Sequence, residues 1–215
     1  MTGPRRELIS GLVADLRPTP GPGRVAGLAT LWLVGTFTLA LLVTALTDPF
    51  RPGSAGQLVA HPRFALETLL GVVAIVMLAA NAFRAAIPGP GMVRRLLLPA
   101  LVVTALWLSN YVLGLWSPAL EPSLAGERDH CLLETLVYGL PPILAGIFAI
   151  RRYWPLRGWI SGLLLGLAAG LIPALIMQLA CMYVPSHILS HHILPGLALG
   201  ALGALLGHFL IRPRG

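Results

Sequence analysis

The sequence predicts an all-α fold, an integral membrane bundle of six transmembrane helices with both termini cytoplasmic. Of its 215 residues, 56% are hydrophobic and only 11% charged, against about 25% charged in a soluble domain. Apolar runs of about 20 residues, long enough to cross the hydrocarbon core, recur six times. The fifteen basic residues are all arginine, and they are shared very unequally between the two sets of connecting segments, as topology requires of a membrane protein.

Dividing the chain at its charges, prolines and glycines predicts spans over about 26–46, 64–87, 96–117, 131–150, 158–182 and 190–211. The first run is longer than the apolar core of a signal peptide and reads as a retained span. The fourth carries Glu134 and the pair Pro141-Pro142, yet "CLLETLVYGL" and "ILAGIFAI" together are long enough to cross. Proline is tolerated there because neighbouring helices can satisfy the freed backbone groups. On the last two spans, Gly162, Gly166 and Gly170, Gly196 and Gly200, and Gly203 and Gly207 recur at four-residue spacing, which predicts close packing of helices five and six.

With the N-terminus inside, twelve arginines fall on the inner side and only Arg51, Arg63 and Arg128 outside, so both termini are expected in the cytoplasm. Tyr153, Trp154 and Trp159 then sit at the inner interface and Trp116 at the outer one. The basic balance reports topology before it reports nucleic-acid binding, and no direct nucleic-acid contact is expected. The outer loops, about 47–63, 118–130 and 183–189, are too short for a folded domain. Inside, only residues 1–25 have substance, which divides the chain into a cytoplasmic segment, 1–25, and a membrane domain, 26–215.

That segment places Leu8, Ile9, Leu12, Val13 and Leu16 at helical spacing behind Pro4, and ends in "RPTPGPG", an extended linker. A helix of three turns is marginal alone in water. Its apolar face therefore lies either on the anionic inner leaflet, held by Arg5 and Arg6 against membrane lipid, or in a groove on a cytosolic partner.

The chemistry-bearing residues gather at the other end. Cys131 begins span four and Cys181 ends span five, so both are expected at the outer surface, at the open ends of a helical hairpin. No C-x-x-C motif is present. Met177 and Cys181 share one face of span five, and Cys131, Glu134 and Tyr138 one face of span four. His130, Met182, His187, His191 and His192 widen the choice of ligands. Thiolate and thioether suit Cu(I), and imidazole suits zinc and copper, so copper, zinc or another soft ion is the candidate metal. Glu134, one turn from Cys131, either accepts a hydrogen bond within the bundle or ligates a metal. His208 reads as structural.

"DLRP" at 15–18 after a short amphipathic stretch, six spans, a cysteine opening the fourth in "CLLETLVYGLPP" and a second closing the fifth resemble the NrsF family. These are bacterial membrane anti-sigma factors that hold extracytoplasmic-function sigma factors inactive, and the resemblance covers nearly the whole chain. It implies that residues 1–25 bind the sigma factor and that the two cysteines take part in signal detection, with Asp15, Arg17 and Pro18 matching the N-terminal motif. In that reading Leu8, Ile9, Leu12, Val13 and Leu16, with Asp15 and Arg17, occlude the polymerase-binding surface of the sigma factor. A metal or oxidative signal at Cys131 and Cys181 then changes how spans four and five pack and releases the partner. The chain is not expected to be an enzyme, and its place is the bacterial inner membrane.

The contrasting reading is a small metal transporter or a membrane thiol oxidoreductase. Against transport, the spans hold few mid-membrane polar residues besides Asn81, Asn110 and Gln178, and no inverted repeat. Against oxidoreductase chemistry, there is no second cysteine pair to pass electrons onward and no cofactor motif.

Overall fold

The computed structural model describes residues 3–16, 22–87, 92–153 and 155–211. Arg17, Pro18, Trp154, Arg212 and Arg214 lie outside the described residues. The described residues are helical apart from the connections between elements. Helix α1 (Gly3–Ala14) is followed by α2 (Pro22–Thr47), a short α3 (Ser54–Ala60), α4 (Pro62–Ala85), α5 (Met92–Gly114), α6 (Cys131–Ile150), α7 (Gly158–Ala180), a turn of helix α8 (Pro185–His187) and α9 (Leu194–Leu210). Six stretches are long and apolar enough to cross a membrane: Arg24–Thr47, Pro62–Ala85, Leu97–Gly114, Cys131–Tyr153, Gly158–Ala180 and Pro185–Leu210. They coincide with the expected spans to within a few residues, and α6 runs unbroken through Pro141 and Pro142. The sixth differs most, because helical structure begins at Pro185 rather than near residue 190.

Helix α7 is the axis of the bundle. Its most apolar stretch is 83% buried within the protein, against 22% for that of the first span, as expected of a helix that is hydrophobic on every face. It packs most extensively on α9, then on α4 and α6, with α2 completing its surround. A polar tie reinforces the α4, α5 and α7 contact: the Tyr111 hydroxyl donates to Gln178 Oε1 at 2.7 Å, and Gln178 Nε2 donates to Thr68 at 3.3 Å. Thus Gln178, expected from the sequence as mid-membrane, lies in the last turn of α7 near Cys181 and is satisfied by its neighbours rather than exposed to lipid.

The two glycine rows predicted to pack together do so backbone against backbone. A methyl group placed on Gly158 would lie 2.6 Å from the Gly207 carbonyl oxygen, and one on Gly170 would lie 2.5 Å from that of Gly196; Gly162 and Gly203 face each other closer still. Leu167, Leu171 and Leu199 fill in beside the glycines, leaving no room for a larger residue at the glycine positions themselves.

At the end of the bundle that carries Cys131, the segment before α6 folds down onto its neighbours. Gly126, at φ 78°, turns the chain where any larger residue would meet Arg51. Ser123 N–H donates to the Tyr183 carbonyl at 3.1 Å, pinning this segment to the α7–α8 connection. Arg51 itself is buried, bonded to Gln57 Oε1 at 2.9 Å and stacked over Phe64 and Tyr183. Burial lowers its pKa from the usual guanidinium value.

Because overpacking a close contact costs about 1–3 kcal/mol and here meets unyielding backbone, Gly162→Val should lower the melting temperature of the detergent-solubilised protein by several degrees. Gly35→Ala, at an open position, should leave it unchanged in the same thermal unfolding measurement.

Candidate functional site

Cys131 is the first residue of α6, and Cys181 is the residue at which α7 gives way to extended backbone. Their helices are antiparallel neighbours, and the two Sγ atoms lie 2.9 Å apart, both buried, both free thiols. Met177, Ala180 and Met182 wall this pair off in an apolar cluster of its own, with Phe50, Tyr138 and Val184 partly covering it. The methionines expected near the cysteines are thus present as packing.

The histidines arrive from the other side. Pro185 starts a helical turn, and the chain then widens into a π turn over Ile188–Ile193 before continuing as α9. The cause is legible in the backbone. Pro195 has no N–H, so the His191 carbonyl cannot receive the bond that an α-helix would send from four residues on. The ladder opens, the Leu194 N–H reaches back five residues to Leu189, and the His191 carbonyl is approached instead by Thr135 Oγ1 at 3.5 Å.

This turn brings His187 and His192 to the cysteines. Cys181 Sγ is 3.6 Å from His187 Nε2. One donor atom from each of Cys131, Cys181, His187 and His192 fits within 4.8 Å of every other, so the four could hold a metal ion. His191 stacks on His187 with ring centroids 4.3 Å apart and planes 8° from parallel, and its Nδ1 meets Ser190 Oγ at 2.7 Å. It orients His187 rather than joining the four. His130 borders, with Glu127, Asp129 and Met182, an open cleft of about 330 Å³ that leads to Cys131 and His187. Of the expected ligands, then, the structure brings His187 and His192 to the thiols and leaves His130 and His191 at the rim.

Glu134 has a different partner. Arg128, with its side chain 2% exposed, lies 3.2 Å from Glu134 Oε2 and 3.8 Å from Asp48 Oδ2, and donates to the backbone carbonyls of Thr44 at 2.9 Å and of Asp48. The guanidinium therefore caps the C-terminal end of α2 and binds an acid in the first turn of α6, each helix end meeting the charge its dipole favours. The Cys131 thiol donates to the Arg128 carbonyl at 3.3 Å, so this junction touches the thiol pair directly. Two further ties join the same helices: Thr47 Oγ1 meets the Tyr138 hydroxyl at 2.8 Å, and the Trp32 indole donates to the Pro142 carbonyl at 2.9 Å. Sequence reasoning missed Arg128 in this role. The available signal was an arginine three residues before the cysteine and six before a glutamate within the membrane.

A second buried polar group lies beside the α7–α8 connection. The Tyr183 hydroxyl donates to Glu67 Oε2 at 3.1 Å and accepts from the Ala119 N–H at 3.3 Å. Desolvation raises the Tyr183 phenol well above its ordinary value, so it remains the proton donor of this pair.

At the opposite end of the chain, α1 has no buried residue. Leu8, Leu12 and Val13 are exposed by 64%, 62% and 60%, and Ile9 is exposed as well. Asp15 and Leu16 follow the helix in a closing turn, with Asp15 N–H bonded to Gly11 and Leu16 N–H to Val13.

Fold and site together define a polytopic helical membrane protein with a thiol–imidazole cluster at one end of the bundle and, near its N-terminus, a helix whose apolar residues are exposed among the described residues. The chain belongs to the NrsF family, negative regulators of sigma F, which matches residues 12–212. It is 28% identical to the anti-sigma-F factor NrsF of Caulobacter vibrioides over 96% of this chain and 98% of that protein. It is 31% identical to the carotenogenesis protein CarR of Myxococcus xanthus over 82% of this chain and 70% of that one. No solved structure matches. Membership implies a sigma factor as partner and a regulatory, non-enzymatic role.

Breaking a buried ion pair by removing one partner costs about 3–5 kcal/mol, because the other charge is left uncompensated. Arg128→Met should therefore destabilise the solubilised protein strongly in thermal unfolding. The double change Arg128→Met with Glu134→Leu should recover part of the loss.

Proposed function

We propose that this chain is an anti-sigma factor of the bacterial inner membrane that sequesters an extracytoplasmic-function sigma factor through residues 1–25. It releases the partner when a metal or oxidative signal reaches the Cys131–Cys181 pair on the outer face. The excess of arginines on the connections that share a side with the N-terminus supports a cytoplasmic α1 and an outward-facing thiol pair. The exposed row of Leu8, Ile9, Leu12 and Val13 supports docking of α1 in a groove on the sigma factor, with Asp15, Leu16, Arg17 and Pro18 extending the contact.

The observation that carries the reading is that the helix beginning at Cys131 holds the helix that carries the N-terminal segment. Arg128, Tyr138 and Pro142 tie α6 and its leading loop to α2, and α2 spans Pro22–Thr47 as one helix. At 1.5 Å per residue it is a rod of about 39 Å. Movement of its Thr44 end passes along the membrane to Arg24 and onward to the sigma-binding segment. For the signal to drive release, it must bind the releasing arrangement better than the holding one.

Residues 1–25, used as bait in the native host, should capture a sigma factor, and deleting them should switch on its regulon; no capture and no transcriptional change would sink the anti-sigma reading. Cys131→Ser or Cys181→Ser should abolish induction by metals or oxidants, measured with a reporter of that regulon, while leaving capture intact. An unchanged response would remove the cysteines from signalling.

A further inference from the structure

We propose that Cys131, Cys181, His187 and His192 are the four ligands of a tetrahedral site for a zinc-like divalent cation, and that the π turn over Ile188–Ile193 exists to build it. The inference rests on the reading of the two cysteines as the sensing site and names the ligand that site takes.

Three observations converge on it. The first is the state of His192. It is wholly buried, and neither ring nitrogen makes a hydrogen bond of good geometry, the Cys181 thiol being the polar group it lies against. Burying an imidazole without partners is costly, and buried polar groups that lack one call for a missing ligand. Here one ring nitrogen lies within 4.8 Å of two thiol sulfurs and a nitrogen of a second imidazole.

The second is spacing. Residues five apart diverge by about 140° on an α-helix turning 100° per residue, which would send His187 and His192 to different faces. A π turn closes from i to i+5 and returns the fifth residue close to the face of the first. Local widening is thus what aims both rings at Cys181, and Pro195 and Thr135 supply the backbone chemistry that permits it.

The third is the size of the cluster. Four donors about 2.0–2.3 Å from a tetrahedral centre lie roughly 3.3–3.8 Å apart. The distances present, 2.9 Å between the sulfurs, 3.6 Å from Cys181 to His187 and no more than 4.8 Å among the four, bracket that range. Shifts of about 1 Å suffice to admit an ion. Two sulfurs and two imidazoles in this geometry suit zinc above hard cations. The neighbouring candidates are otherwise engaged: Glu134 with Arg128, and His191 stacked on His187. The cleft bordered by Glu127, Arg128, Asp129 and His130 reaches Cys131 and His187 and offers an entry path for a cation.

The test uses the full chain, reduced and purified in detergent micelles, titrated with Co(II) and then with Zn(II). One equivalent of Co(II) should produce the visible absorption of a tetrahedral centre together with thiolate-to-metal charge transfer, and Zn(II) should displace both. His187→Ala and His192→Ala should each weaken binding by about tenfold or more, with loss of the tetrahedral bands. Met182→Leu and His130→Ala should leave affinity within about twofold. His192→Gln guards against a variant that fails to fold, and helical content by circular dichroism is read for each protein. Absence of stoichiometric binding by the folded, reduced chain would overturn the proposal, as would unchanged spectra in both histidine variants. Capture of the sigma factor by residues 1–25 is measured separately, so failure of the anti-sigma reading and failure of the metal site are told apart.

Discussion

The contact on which the molecule depends is the bare-backbone packing of α7 against α9. Gly158, Gly162, Gly166 and Gly170 meet Gly196, Gly200, Gly203 and Gly207 with no room for a single methyl group. In lipid there is no hydrophobic force to favour one helix partner over the solvent, so close approach and dispersion must hold the pair together. That closeness fixes where the connection between the two helices can lie. Cys181 leaves α7 and His187 and His192 enter the α9 run within eleven residues, and the tight crossing forces all three to one end of the bundle. The thiol–imidazole cluster is in this sense a product of the glycine rows beneath it.

Around that rigid pair the other helices pack through larger apolar side chains, with a few polar ties added between them. Helix α2 presents most of its most apolar stretch to the surroundings and is joined to α6 through Arg128, Tyr138 and Trp32. A buried guanidinium that caps one helix and pairs with an acid of another is satisfied only while both helix ends keep their places. Such a junction specifies a geometry more than it adds stability. It also adds to the apolar packing of α2 on α7 and α4 a set of discrete polar contacts that tie its Thr44 end to the start of α6.

Most of the helical architecture was legible in the sequence because span length and glycine spacing are direct consequences of the bilayer. The boundary of α6 at Cys131 falls where expected, and so does the four-residue glycine register. The site was half legible. Cysteines at the open ends of a hairpin come together because antiparallel helices share their ends, yet their separation, and the choice of His187 and His192 over His130 and His191, depend on a π turn. Helical periodicity assumes an unbroken ladder, and a widening caused by Pro195 four residues after His191 shifts every side chain that precedes it. Arg128 was hidden for another reason: its partners Thr44 and Asp48 lie some eighty positions earlier and are met through backbone carbonyls, which leave no trace in residue type.

The first turn of α6 is where these elements meet. Cys131 belongs to the thiol pair, Glu134 to the Arg128 junction, and Thr135 reaches the carbonyl that the π turn sets free. Three consecutive obligations on five residues mean that this turn cannot shift for one partner alone. A ligand that repositions the Cys131 sulfur must also alter either the cap on α2 or the support of the histidine turn. The latter is anchored to the glycine-packed pair and resists displacement. The cap on α2 rests on a few charge-assisted bonds at the end of a helix that packs on the core through Val25, Trp32 and Ala40 but leaves most of its apolar stretch exposed, and in the proposed mechanism it is the side that yields. Packing rigidity on one flank and polar, breakable contacts on the other thus give a disturbance at the thiols a direction, toward the helix that leads to the N-terminal segment.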